Sequence, residues 1–264
     1  MQKTTKLLIA IGVPCMLLTA NLSASLSTTL DLAPTGYRDT DSKGGEFTAV
    51  VTGGANYVAN YNSKATAQVV VGGKTVTGFE TFCVEMTATF QPGDSYNTSV
   101  GSKIVSGPTT SSYISVGTAY LYSQFAQGIL KNYNYNQNSS GTGSRAYTAD
   151  ELQDAIWYLQ GEIGTTGNST TSDSLYTFNA STDIFVELVD STFGTSTALE
   201  SDATYGNTFG VMALNLTSTS GYNTVYNQDQ LVYCPVPEPA TFAAGAMLLL
   251  PLGVGAVRAL RKKI

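Results

Sequence analysis

The chain has 264 residues, of which only 12% are charged, with no histidine and a formal net charge of −6. The missing histidines exclude Ser-His-Asp and Cys-His catalysis and most zinc sites, and 13 Lys and Arg, spread thinly or gathered at the ends, argue against a nucleic-acid partner. Gly, Ser, Thr, Asn and Tyr dominate, which suits an exported protein, and about 200 residues remain for one domain once the terminal segments are set aside, enough for a real core.

The chain opens "MQKTTKLLIAIGVPCMLLTANLSAS". Lys3 and Lys6 form a basic start, Leu7 to Leu18 an apolar run, and Ala20 and Ala24 are candidate cleavage positions. This predicts a secretory signal peptide over residues 1–24. A retained anchor is the other reading, but the run is short for a span. Cys15 follows Pro14 inside the apolar run, which does not fit a lipoprotein, and it leaves with the signal.

An exported domain is expected over residues 25–235. "DTDSKGGE" (39–46) is acidic with a Gly pair but lacks the calcium-hand pattern, so it reads as a turn, and neither a metal site nor a cofactor is expected. From about Glu46 to Val100, "EFTAVVTG", "TAQVVVGG", "KTVTGFETFCVEM" and "YNTSV" read as strands, rich in β-branched residues and punctuated by Gly and Asn. Alternation puts Thr81, Cys83 and Glu85 on one face and Phe82, Val84 and Met86 on the other.

Helical patterns follow at 112–130, 148–162 and 181–194. The second begins with Thr148 and Glu151 spaced as a capping box, and the third offers Ser181, Thr182 or Asp183 as its cap. Within the second, Leu152, Ala155, Ile156 and Leu159 form an apolar stripe, and Gln153 falls between Ile156 and Trp157 at its margin. A buried amide needs a partner. Polar loops such as "NYNYNQNSSGTGS" separate the helices, and strands return at "TFGVMALNL" and "DQLVYC". The whole reads as α+β, a β-rich framework with a helical insertion.

The end reads "VPEPATFAAGAMLLLPLGVGAVRALRKKI". Pro237, Glu238 and Pro239 hold an extended, solvated stretch, residues 240–257 form an uncharged run long enough to span a bilayer, and the basic tail 258–264 carries Arg258, Arg261, Lys262 and Lys263. The charges predict a cytoplasmic C-terminus with the body outside the inner membrane. Motif, span and basic tail together resemble the PEP-CTERM sorting signal over residues 236–264. The resemblance implies an exosortase-type processing enzyme as partner, a transient inner-membrane intermediate, and delivery to the outer envelope or extracellular matrix of a Gram-negative, exopolysaccharide-making bacterium.

Once the signal is removed, Cys83 and Cys234 are the remaining cysteines. "FCVE" (82–85) and "LQDAIW" (152–157) together resemble the thioester domain of bacterial surface adhesins, in which a Cys after an aromatic or aliphatic residue bonds a Gln in a Thr/Leu-Gln-x-Ala-Ile-Trp helix. The resemblance implies a crosslink between Cys83 and Gln153, lined by Phe82, Glu85, Ile156 and Trp157. The Cys83 thiolate attacks the Gln153 carboxamide and releases ammonia; an amine on a partner then opens the thioester to an amide. Desolvation, Glu85 or the strand–helix geometry must assist in the absence of histidine. One such event attaches the protein to its target, so the resemblance implies covalent binding and not an enzyme.

Two other readings of these residues are open: a Cys83–Cys234 disulfide, or a Gln153 that bonds backbone while Cys83 packs as a small hydrophobe. The rival functions are a non-catalytic structural protein of an exopolysaccharide or biofilm matrix and a carbohydrate-binding module using surface aromatics. For a hydrolase, no carboxylate pair is marked.

Overall fold

The computed structural model describes residues 26–31, 45–51, 63–71, 73–91, 93–136, 139–167 and 177–235. The expected signal peptide (1–24) and sorting signal (236–264) lie outside the described residues. Among those described, no helix is long and apolar enough to cross a membrane.

The domain is α+β. Strands β1 (Leu26–Asp31), β2 (Glu46–Val51), β3 (Thr66–Val71), β4 (Lys74–Phe82) and β5 (Ser95–Gly101) come first, then a small hairpin of β6 (Lys103–Val105) and β7 (Ser111–Tyr113). Helices α1 (Val116–Ala126), α2 (Arg145–Gln160), α3 (Ile184–Phe193) and α4 (Thr195–Ala198) follow, with a two-residue pair, β8 (Thr166–Gly167) and β9 (Phe178–Asn179), between α2 and α3. The chain returns to strands in β10 (Val211–Ser220), β11 (Asn223–Tyr226) and β12 (Gln230–Tyr233).

The main sheet is antiparallel, in the order β11-β10-β5-β1-β2-β4-β3, with β12 also on β10. It curls until β4 meets β12. Cys83 and Gln230 form an antiparallel bridge there, and the Val84 N–H donates to the Asp229 carbonyl at 3.1 Å. Strands β10, β5, β1, β2, β4 and β12 thus make a barrel-like ring whose seam is one bridge wide. Alternation gives the ring two faces. Ala49, Phe79, Tyr96, Leu214, Leu216 and Val232 cluster on one, and Phe82, Val84, Ala213 and Leu231 join the helices on the other.

The helices pack closely. A Cβ at Gly117 would stand 2.9 Å from Val189 Cγ1 and 3.0 Å from Leu159 Cδ2, so a bare glycine lets α1 approach α2 and α3. Gly78 serves the sheet similarly: a Cβ there would lie 2.7 Å from the Ala49 carbonyl. Phe125 of α1 meets Phe82 edge-on at 5.0 Å and Tyr133 at 4.9 Å.

Several local expectations are corrected. The first helix starts at Val116, because Ser115 caps it by accepting from the Thr118 N–H, and Ser111–Tyr113 is a strand. The second starts at Arg145, three residues earlier than the spacing predicts. Ser144 is its cap, while the Thr148 hydroxyl bonds back to the Ser144 carbonyl, so Thr148 and Glu151 form no capping box. Asp183 caps the third helix by accepting from Phe185 and Val186. Strand β1 carried no signal that the sequence reading used, and the loop expected to be polar contributes Tyr133 to the core.

Candidate functional site

The site forms where the β2–β4 ladder ends. Glu46 pairs with Phe82, so continued pairing would set Gly45 opposite Cys83. The carboxamide of Gln153, from α2, is inserted there instead. Its Oε1 accepts from the Gly45 N–H at 2.9 Å and the Cys83 N–H at 3.1 Å, and its Nε2 donates to the Cys83 carbonyl at 2.8 Å. The last backbone groups of an opening ladder are thereby satisfied by one side chain. Gln153 is 2% exposed, so it lies inside the protein and not at the margin its place on the helix wheel implied.

Cys83 is fully buried. On its other edge it faces Gln230, and directly opposed residues hold their side chains close. The Gln230 Nε2 donates to Cys83 Sγ at 3.3 Å. Trp157, one turn after Gln153, packs with Cys83 and Phe47. Two buried polar atoms here have no hydrogen-bond partner: the Trp157 indole N–H and the Gln230 Oε1.

The other expected pocket residues are placed differently. Phe82 and Ile156 belong to the helix-side core, because strand and helix periodicity turn them away from the sulfur, whereas Met86, beyond the end of β4, packs on the Cys83 side against alternation. Glu85 Oε2 accepts from the Asp229 N–H at 3.0 Å, and its carbonyl accepts from the Gln228 side chain, so it fastens the approach to β12. Cys83 and Cys234 are not joined in a disulfide. Cys234 lies four residues beyond Gln230, which bridges Cys83, a reach of about 13 Å along an extended strand.

A buried charged group stands beside the clamp. Arg145 makes a two-pronged contact with Glu46, Nη2 to Oε1 at 2.5 Å and Nε to Oε2 at 2.9 Å, while its Nη1 donates to the Tyr135 carbonyl. The Tyr133 hydroxyl adds a donor to Glu46 at 2.6 Å. Burial and the Glu46 charge hold the nearby Glu80 carboxyl well above the usual range, against the opposing Arg145 charge and a hydrogen bond from Thr48. Arg145 and Gln153 both lie on α2, and they grip adjacent residues, Glu46 and Gly45.

Asp229 accepts from the Val105 N–H at 2.7 Å and the Leu216 N–H at 2.9 Å. Burial nonetheless pushes its carboxyl up to about 8, helped by the Glu85 charge. Burial and the Asp183 charge push Glu151 up to about 7. Carboxyls held above their unfolded values near 4 bind protons more tightly when folded, so their contribution is complete below about pH 4 and is lost as pH rises through 7 and 8. Thermal melts at constant ionic strength should therefore show a midpoint that falls between pH 5 and pH 8.5. Asp229→Asn should flatten the upper part of that fall; a flat or rising wild-type profile would contradict the assignment.

Among the described residues, no group of three or more His, Cys, Asp and Glu side chains could hold a metal ion. Sequence reasoning passed over Gly45, Arg145, Asp229 and Gln230. The Gly pair before β2 was a usable signal for Gly45, but nothing in "DQLVYC" marks its glutamine as the neighbour of a cysteine 147 residues away. In comparisons with known proteins, no family model, no curated protein and no solved structure matches the chain.

Proposed function

We propose that the chain is an exported cell-surface or matrix protein whose domain carries a latent thioester between Cys83 and Gln153 and uses it to bind amines on its target covalently. The observation that carries this reading is the clamp: the Gln153 carbonyl oxygen lies between two backbone N–H donors, beside the cysteine 70 residues away that the motif pairs with it. When Cys83 Sγ adds to the carboxamide carbon, negative charge develops on that oxygen, and the Gly45 and Cys83 N–H groups stand at oxyanion-hole distances. The Gln230 side-chain N–H donates to Sγ and holds the sulfur in place beside the clamp. The C–N bond then breaks, the thiol proton goes to nitrogen, and ammonia leaves. Ammonia offers both a donor and an acceptor, the pair of functions that the Gln230 Oε1 and the Trp157 N–H lack partners for. Burial of Cys83 and Gln153 protects the product from water.

The remaining features of the reading come from sequence. The signal peptide exports the domain, and the PEP-CTERM-like tail holds it in the inner membrane until an exosortase-type enzyme releases it to the envelope or matrix. The intact mass of the purified protein tests the reading directly. A mass short of the sequence by one ammonia, restored and raised by one methyl group's worth after methylamine treatment, is expected. A full-mass protein that takes up no methylamine would leave Gln153 as a structural amide and favour the non-covalent matrix protein.

A further inference from the structure

A target amine must reach an acyl carbon that is closed off from water. Phe47, Met86, Phe90 and Ile163 surround the Cys83–Trp157 contact. Of these, Phe90 also lines a groove of about 330 Å³, together with Thr89, Asp94, Tyr96 and Asn227. Its half-buried ring meets Phe47 edge-on at 4.8 Å and packs both on the Cys83 cluster and on the apolar face of the ring of strands. Groove and cysteine also share a backbone wall: the Gln228 N–H donates to the Thr89 carbonyl, two residues before the Gln230 that touches Sγ. Phe90 thus belongs to both the groove lining and the apolar packing around Cys83. No Lys or Arg lines this groove, and the exposed Asp94 gives it negative charge.

We propose that this groove receives a lysine side chain or other primary amine of the target, and that Phe90 is the gate through which the amine reaches the acyl carbon of Gln153; the proposal rests on the thioester reading above. Asp94 draws the cationic side chain or its neighbours into the groove. Rotation of Phe90 away from Phe47 opens the way in. The neutral amine nitrogen attacks, a C–N amide bond forms, the C–S bond breaks, and the proton lost by nitrogen goes to the Cys83 thiolate. Nothing is oxidised or reduced.

Methylamine incorporation into the purified full chain tests the gate. Phe90→Ala should speed it by about three- to tenfold, the range set by loss of one edge-on aromatic contact, and Phe90→Trp should slow it. Met86→Ala, which thins the same apolar wall on a flank without the groove, should change the rate less than Phe90→Ala does. Asp94→Asn should slow cadaverine by about two- to fivefold relative to methylamine, with the difference disappearing in high salt. Rates indifferent to Phe90, or raised more by Met86→Ala than by Phe90→Ala, would overturn the proposal, as would a cadaverine preference untouched by Asp94→Asn. A wild-type protein of unmodified mass would overturn the thioester itself. The gate is then judged separately by iodoacetamide labelling of the Cys83 thiol in a Cys234→Ser background: labelling unaffected by Phe90→Ala overturns the gate, and acceleration upholds it.

Discussion

Cys83→Ala should cost about 4 kcal/mol of unfolding free energy if the thioester forms, and about 1–2 kcal/mol if it does not. The larger figure is the chain-entropy value for a crosslink closing a loop of 70 residues, and the smaller is the packing lost with a buried sulfur. The two are separable because Gln153 grips the backbone of Cys83 and not its side chain, so alanine leaves the hydrogen-bond clamp in place. Gln153→Ala behaves differently. Without a crosslink it strands the N–H groups of Gly45 and Cys83 and the Cys83 carbonyl in a buried place, each worth about 1–3 kcal/mol before the structure relaxes; with one, Nε2 has already left as ammonia, so the two N–H groups are stranded and the crosslink is lost, and the change should be severe in both cases. Methylamine-opened wild type completes the set, since the methylamide keeps an acceptor and one N–H for the clamp while losing the covalent link. Urea unfolding of the four proteins reads all of this. A Cys83→Ala protein about as stable as wild type would sink the crosslink.

Arg145→Met should destabilise the domain by about 3–5 kcal/mol, lowering the melting midpoint by roughly 10 °C. The substitution removes both prongs on Glu46 and leaves a carboxylate buried beside Glu80, with the Tyr133 hydroxyl still donating to it. Pairing it with Glu46→Gln should recover a good part of the loss, because the expense lies in the orphaned charge more than in the missing attraction. If the double variant is no better than Arg145→Met alone, the pair acts by shape and not by charge.

Strands β2, β3, β4, β5, β10 and β12 and the three longer helices were legible from β-branched runs between Gly and Asn breaks and from apolar residues at helical spacing, whereas β6, β7, β8, β9 and β11 were not. The pairing of Cys83 with Gln153 was legible only through short motifs, and even there the contact differs in kind: the expected meeting of sulfur and amide is, in the folded chain, a meeting of amide and backbone. Gly45 has no side chain to advertise its role 108 residues from Gln153. Arg145 follows a Gly- and Ser-rich loop, so it read as loop, and the helix it begins seemed to start at Thr148. The run Gln228, Asp229, Gln230 is buried, which nothing in its polar sequence announces. It is buried because the sheet curls round to meet β4, and closure between strands so distant in sequence leaves no local pattern.

The one-bridge seam also sets a mechanical path. Strand β12 begins at the residue touching Cys83 and runs straight toward Pro235, where the described chain ends. A target joined as an amide to Gln153 would pull on α2, while the segment after Pro235 would pull on β12. The load would cross between them at the Gln153 contacts with the Gly45 and Cys83 backbone and at the Cys83–Gln230 bridge. The β12–β10 ladder, four residue pairs long, would hold β12 against it.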